Sequence, residues 1–127
     1  MEVINLTDNL DFDKLRKIAR IKTKVLPVVV QNWKTMAVIM IGYVNQEALD
    51  YSLTNKIVAF WSTSKDKLWI KGKTSGDYLK LIEVRLNCEN NSLLFLVELQ
   101  GKGACHAKDA QGNRRVSCYY HKIKLNH

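Results

Sequence analysis

Proline, cysteine and glycine are scarce in this sequence: one, three and six residues respectively out of 127. That scarcity excludes collagen-like and Pro/Gly-rich low-complexity architectures, and no internal repeat is visible. Long hydrophobic runs are missing too. The longest, Met36 to Val44, is far short of the roughly 20 residues a helix needs to span a bilayer. The N-terminus, MEVINLTDNL, has an acid at position 2 and no basic segment followed by an apolar one, so it does not read as a secretory leader. An odd number of cysteines weighs against a disulfide framework. Reduced thiols and a cytoplasmic location are the expectation.

With 46% hydrophobic and 25% charged residues, the chain has the composition of an ordinary globular protein. Its length suits one domain covering 1–127. The formal net charge is +8, yet no basic run exceeds two residues. Such a surface serves nucleic acid or phosphorylated small molecules equally well.

Asp11 to Ile21 places Phe12, Leu15, Ile18 and Ala19 on one helical face, with Asp11 as N-cap. Pro27 then punctuates helix to sheet. VLPVVVQNW and MAVIMIGYV read as β-branched, buried strands. Asn45 can cap a second helix, NQEALDYSLTNK, with Ala48, Leu49 and Leu53 as its apolar stripe. Strands follow in IVAFWST, KLWI, YLKLIEVRLN, LLFLVELQ and VSCYYHKIKL, with a turn at NCENNS. The pattern predicts a β-rich α+β fold of two short helices with about seven or eight strands.

Four groups of residues are candidates for chemistry. Cys88, Cys105 and Cys118 match the three-ligand count of a catalytic zinc site, which leaves a fourth position for water. Sixteen residues intervene between the first pair and twelve between the second, so the spacing is not that of a zinc finger. The plain alternative is three small buried hydrophobes. His106, beside Cys105, can move a proton near neutral pH or simply be solvated. In WSTSKDKLWIKGKTSGD the hydroxyls of Ser62, Ser64, Thr74 and Ser75, the cations Lys65, Lys71 and Lys73, and Gly72 and Gly76 are the materials of an anion cradle, or of a polar hairpin. Asn87, Glu89 and Asn91 alternate around Cys88, where oxygen donors can share a hard cation or close a bare turn.

VVVQN, MIGYVNQEAL, WSTSKDKLWIKGKTSG, LNCENNSLLFLVELQGKGACH and SCYYHKI, taken in order, resemble the phosphoribosyl-AMP cyclohydrolase family of histidine biosynthesis. The resemblance implies an intertwined homodimer in which Cys88, Cys105 and Cys118 bind zinc across the subunit interface. It further implies magnesium at Asn87, Glu89 and Asn91, and His106 as the catalytic proton carrier. Ser62, Ser64, Lys65, Trp69, Lys71, Gly72, Thr74 and Ser75 would bind substrate. The implied reaction is hydrolysis of the N1–C6 bond of the adenine ring of N1-(5-phosphoribosyl)-AMP, water activated by zinc attacking C6.

The chain departs from the family pattern in several places. Asn87, Glu89 and Asn91 replace three aspartates, which removes two formal negative charges and lowers the expected magnesium affinity. Thr63 and Lys65 stand where the family has arginines, and Lys73 replaces an acid. The stretch between Cys105 and Cys118 is about six residues longer than in the family, a length a surface loop absorbs without moving its ends. These departures motivate two alternatives: a divergent paralogue acting on another purine nucleotide, and a basic zinc-stabilised module binding RNA or protein through Arg114 and Arg115.

Overall fold

The computed structural model describes residues 2–4, 10–105 and 107–125. Within them two helices and eight strands run in the order β1 (Glu2–Ile4), α1 (Lys14–Arg20), β2 (Leu26–Asn32), β3 (Val38–Val44), α2 (Gln46–Asn55), β4 (Ala59–Ser62), β5 (Lys67–Ile70), β6 (Leu79–Leu86), β7 (Leu93–Leu99) and β8 (His121–Ile123). The β-rich α+β expectation therefore holds. The main sheet has the order β3-β2-β7-β6. β2 lies antiparallel to β3 and parallel to β7, with Val28 opposite Leu93 and Val30 opposite Phe95.

Strand β2 is central, yet it contains Pro27. Pairing with β7 begins only at Val28, so the missing proline N–H removes no bond on that side. Val28, Val30, Ile39, Leu79, Phe95 and Val97 are buried on one face of the sheet. Hairpin β4–β5 packs Phe60 into the same core, and α2 covers it through Ala48. Backbone bonds from Val58 to Leu79 and from Leu81 to Lys56 tie the entry of the hairpin to β6.

Helix α2 starts as its sequence predicts. The Asn45 side chain accepts from the Ala48 N–H at 2.9 Å, and Lys56 ends the helix in the left-handed conformation. The expected apolar stripe is corrected at one position. Leu53 is 50% exposed, and Ser52 is the buried residue. Its hydroxyl donates to the Ala48 carbonyl at 2.8 Å and accepts from the Ala59 N–H at 2.9 Å. A polar side chain thus joins α2 to β4 where the hydrophobic pattern pointed to leucine.

Two other expectations are corrected. Helix α1 begins at Lys14, with Asp13 at the N-cap, while Asp11 Oδ1 accepts from the Asp13 N–H. Of its apolar face only Ile18 is buried; Phe12 and Leu15 are exposed. The last strand shrinks to His121–Ile123, paired in parallel with β1, and Cys118 lies before it. No helix among the described residues is long and apolar enough to cross a membrane.

Replacing Ser52 with Ala leaves the buried Ala59 N–H without its partner and should destabilise the protein by about 1–3 kcal/mol. Leu53→Ala, at an exposed position, should cost less. Urea denaturation midpoints of the two variants check the order; the reverse order would contradict the assignment of Ser52 as the α2–β4 link.

Candidate active site

Chain direction decides which of the chemical residues meet. Cys88 sits in the turn that leads into β7, and Cys105 follows the far end of that strand. Seven residues at about 3.3 Å each separate the two ends by roughly 20 Å. Cys88 is exposed, and no group of three or more metal-capable His, Cys, Asp or Glu side chains forms among the described residues of one chain.

Cys105 and Cys118 do meet. The N–H groups of Ala104 and Cys105 both donate to the Arg115 carbonyl, at 3.1 and 2.9 Å. The Cys118 N–H donates to the Ile39 carbonyl on β3 at 2.7 Å, and the Ser117 hydroxyl donates to the Val38 carbonyl. The two segments are thereby pinned side by side. Partial burial, followed by the neighbouring Cys105 side chain, pushes the Cys118 thiol up to about 11, with Lys71 opposing. A soft metal must displace such protons on binding, and a close thiol pair is a fitting donor set for zinc.

The pair lies on a cavity of about 260 Å³ whose other walls include Met40, Trp69, Lys71, Gly72, Thr74 and Ser75. Lys71 is only 6% exposed. Burial is the main influence lowering its ammonium pKa; Asp77, Cys118 and Cys105 act in the opposite direction. A buried ammonium next to two thiols is a strong local attraction for anions. The loop carrying it turns at Gly72, whose φ is +89°. A Cβ there would stand 2.3 Å from the Tyr78 nitrogen, so only glycine closes the turn.

Of the expected substrate-binding residues, Trp69, Lys71, Gly72, Thr74 and Ser75 therefore reach the cysteine cavity. Ser62, Ser64 and Lys65 do not. They occupy the tip of the β4–β5 hairpin, where the Lys65 N–H donates to Ser62 Oγ and the two serine hydroxyls lie 3.4 Å apart. Ser62 pairs with Lys67, and Ile70 leads into the Lys71 loop, so the hairpin holds the two halves of the expected cradle at its opposite ends. His106 lies outside the described residues.

The turn expected to hold magnesium is closed by its own amides. Asn87 Oδ1 accepts from the N–H groups of Asn91 and Ser92, both at 2.9 Å. Asn87 Nδ2 donates to Asn91 Oδ1 at 2.7 Å, and Asn91 Nδ2 donates to Glu89 Oε2 at 3.3 Å. N–H donors face the oxygens a hard cation would need. With one carboxylate among the three side chains, the set does not fit a magnesium site.

The sequence pointed to Arg114 only as a surface cation and did not single out Asp77. Asp77 is 4% exposed, and Arg114 Nη1 reaches its Oδ2 at 2.5 Å. Arg115 lies over the Tyr120 ring at 4.0 Å. Both arginines are half-buried, which corrects the picture of an exposed basic pair offered to RNA.

Substituting Gly72 with Ala should displace the Lys71 loop. A loss of at least tenfold in ligand affinity with retained far-ultraviolet circular dichroism is the expected outcome, and unchanged affinity would contradict the close approach to Tyr78.

The family model described as phosphoribosyl-AMP cyclohydrolase matches residues 40–120, a span that contains the thiol pair, the Lys71 loop and the Asn87 turn. The phosphoribosyl-AMP cyclohydrolase of Methanocella arvoryzae is 44% identical over 81% of this chain and 81% of its own length. That of Clostridium beijerinckii is 34% identical over 97% of this chain and all of its own length. The histidine biosynthesis bifunctional protein HisIE of Pasteurella multocida is 44% identical over 76% of this chain, a match that spans 44% of that longer protein. The chain belongs to the phosphoribosyl-AMP cyclohydrolase family.

Proposed function

We propose that this chain hydrolyses the N1–C6 bond of the adenine ring of N1-(5-phosphoribosyl)-AMP, in histidine biosynthesis, as a zinc-dependent homodimer. The observation that carries the reading is the meeting of Cys105, which is buried, and Cys118, which is exposed, on one cavity with the cationic Lys71 loop. Family membership supports the substrate.

Two features favour a second copy of the chain. Cys88 stands alone at the end of β7 remote from the thiol pair, so a three-cysteine site needs a Cys88 from elsewhere. The exposed apolar side chains Phe12, Leu15, Ile41 and Leu86 offer surface for such an association. A cavity of about 260 Å³ is also at the small end for a drug-sized ligand, so a substrate with two phosphoribosyl groups needs further walls.

Each residue then has a role. Lys71, Thr74 and Ser75 meet phosphate oxygens at the cavity, and Trp69, 45% exposed on its rim, offers an indole face to the base. Ser62, Ser64 and Lys65, at the hairpin tip, bind the more distant phosphate. Cys105, Cys118 and the other copy's Cys88 would hold zinc, which would supply a Lewis acid able to lower the pKa of water from about 15.7 towards 7. Water oxygen bonds to C6, the N1–C6 bond breaks, and N1 takes a proton carried by His106. No dication is needed at the Asn87 turn, where amide donors already occupy the oxygens.

Cys105→Ala should lose both zinc and turnover, and so should Cys88→Ala. Refolding the two inactive variants together should recover activity, because a mixed dimer holds one intact set of three cysteines. Failure of the mixture while each variant is folded would overturn the shared site. Turnover by verified zinc-free protein would overturn the zinc chemistry, and turnover of another purine nucleotide alone would favour the divergent paralogue.

For zinc-loaded protein, turnover should stay within twofold as magnesium is raised from none to millimolar. Converting Asn87 and Asn91 together to Asp should create a site for manganese detectable by electron paramagnetic resonance. Loss of wild-type turnover without magnesium, zinc content being constant, would refute the amide-closed turn.

A further inference from the structure

The long stretch between Cys105 and Cys118 finds its use in one side chain. Arg114 leaves this stretch and reaches the end of the Lys71 loop, where Nη1 donates to Asp77 Oδ2 at 2.5 Å and to the Ser75 carbonyl at 3.3 Å. Asp77 is buried, and a carboxylate in that position is stable only with a hydrogen-bonded cation beside it. Its other oxygen faces the backbone at Gly101, where a Cβ would stand 2.0 Å from Asp77 Oδ1. The carboxylate is therefore enclosed on both sides, and the Asp77 N–H donates back to Ser75 Oγ at 3.2 Å.

The other end of the strut is equally fixed. Arg114 pairs across the stretch with Lys108, and the Arg115 N–H donates to the Ala107 carbonyl at 3.0 Å. The next carbonyl, that of Arg115, holds the N–H groups of Ala104 and Cys105. Asp109 closes the tip by accepting from the N–H groups of Gln111 and Asn113. One guanidinium thus links the segment that sets Cys105 to the loop that presents Lys71, Thr74 and Ser75.

We propose that Arg114 is a positioning residue, which through Asp77 and the Ser75 carbonyl sets the anion-binding loop at a fixed separation from the cysteine pair. It touches neither substrate nor metal. The role in catalysis rests on the function proposed above; the clamp itself does not.

Two measurements separate these. Hydrogen exchange should show the amides of residues 73–77 protected in the wild type, at least tenfold less protected in Arg114→Ala, and largely restored in Arg114→Lys. Unchanged protection in Arg114→Ala would overturn the clamp whatever the activity. With phosphoribosyl-AMP, Arg114→Ala should raise KM at least tenfold with kcat within about twofold and zinc content unchanged, and Arg114→Lys should recover most of that loss. Asp77→Asn should raise KM as well, and adding it to Arg114→Ala should make matters no worse, since both remove the same strut. An unchanged KM, a loss confined to kcat, or additive effects would refute the positioning role. A wild-type protein without turnover would refute the proposed reaction and leave the exchange result to decide on the clamp.

Discussion

A β-strand cannot fold back on itself, and the site of this protein is shaped by that constraint. Strand β7 runs from the Asn87 turn to the segment that bears Cys105, so the two ends of one short stretch of sequence face opposite ends of the sheet. Cys88 and Cys105 are close in the sequence because a single strand separates them, and far apart in the fold for the same reason. Cys118 reaches Cys105 by another route, through its backbone bond to Ile39 on β3. The chain thus brings two of its three cysteines together and leaves Cys88 exposed at the other end of the sheet.

The charge of the protein is distributed to similar effect. Among twenty lysines and arginines, Lys71 is one of few drawn into the interior, and it is there that its charge is least screened. Asp77 opposes the effect of burial without cancelling it, while Arg114 pairs with Asp77 and adds a second positive group nearby. Lys71 and Lys73 line the cavity, and Asp77 and Arg114 stand behind the loop that carries them.

Local signals in the sequence were readable where the physics is local. Asn45 caps α2 because an amide oxygen two or three residues from free N–H groups has few alternatives, and the strands at β2, β3, β6 and β7 follow from β-branched and alternating residues. The sequence misled where tertiary packing decides. Ser52 displaced Leu53 from the interior because β4 presents a backbone N–H there, a fact invisible in the α2 sequence alone. Of the site, the cysteine pair and the Lys71 loop were legible from residue type and motif. The Asp77–Arg114 strut was not, since its partners lie 37 residues apart and each looks like an ordinary surface charge in isolation. The Asn87 turn was readable as to composition, but which groups its amides would satisfy emerged only from their hydrogen bonds.

The parallel pairing of β2 with β7 has a consequence for how the protein forms. Val28 meets Leu93 and Val30 meets Phe95 across about half of the chain, with β3, α2, hairpin β4–β5 and β6 lying between them. The centre of the sheet is therefore a contact of high sequence separation, and loop-closure entropy must be met before it contributes. On a ribosome, the strands β2 and β3 emerge with one apolar edge open, and they stay so until β7 has been synthesised. The order of the strands makes assembly of this core a late event, governed by the arrival of the last third of the chain.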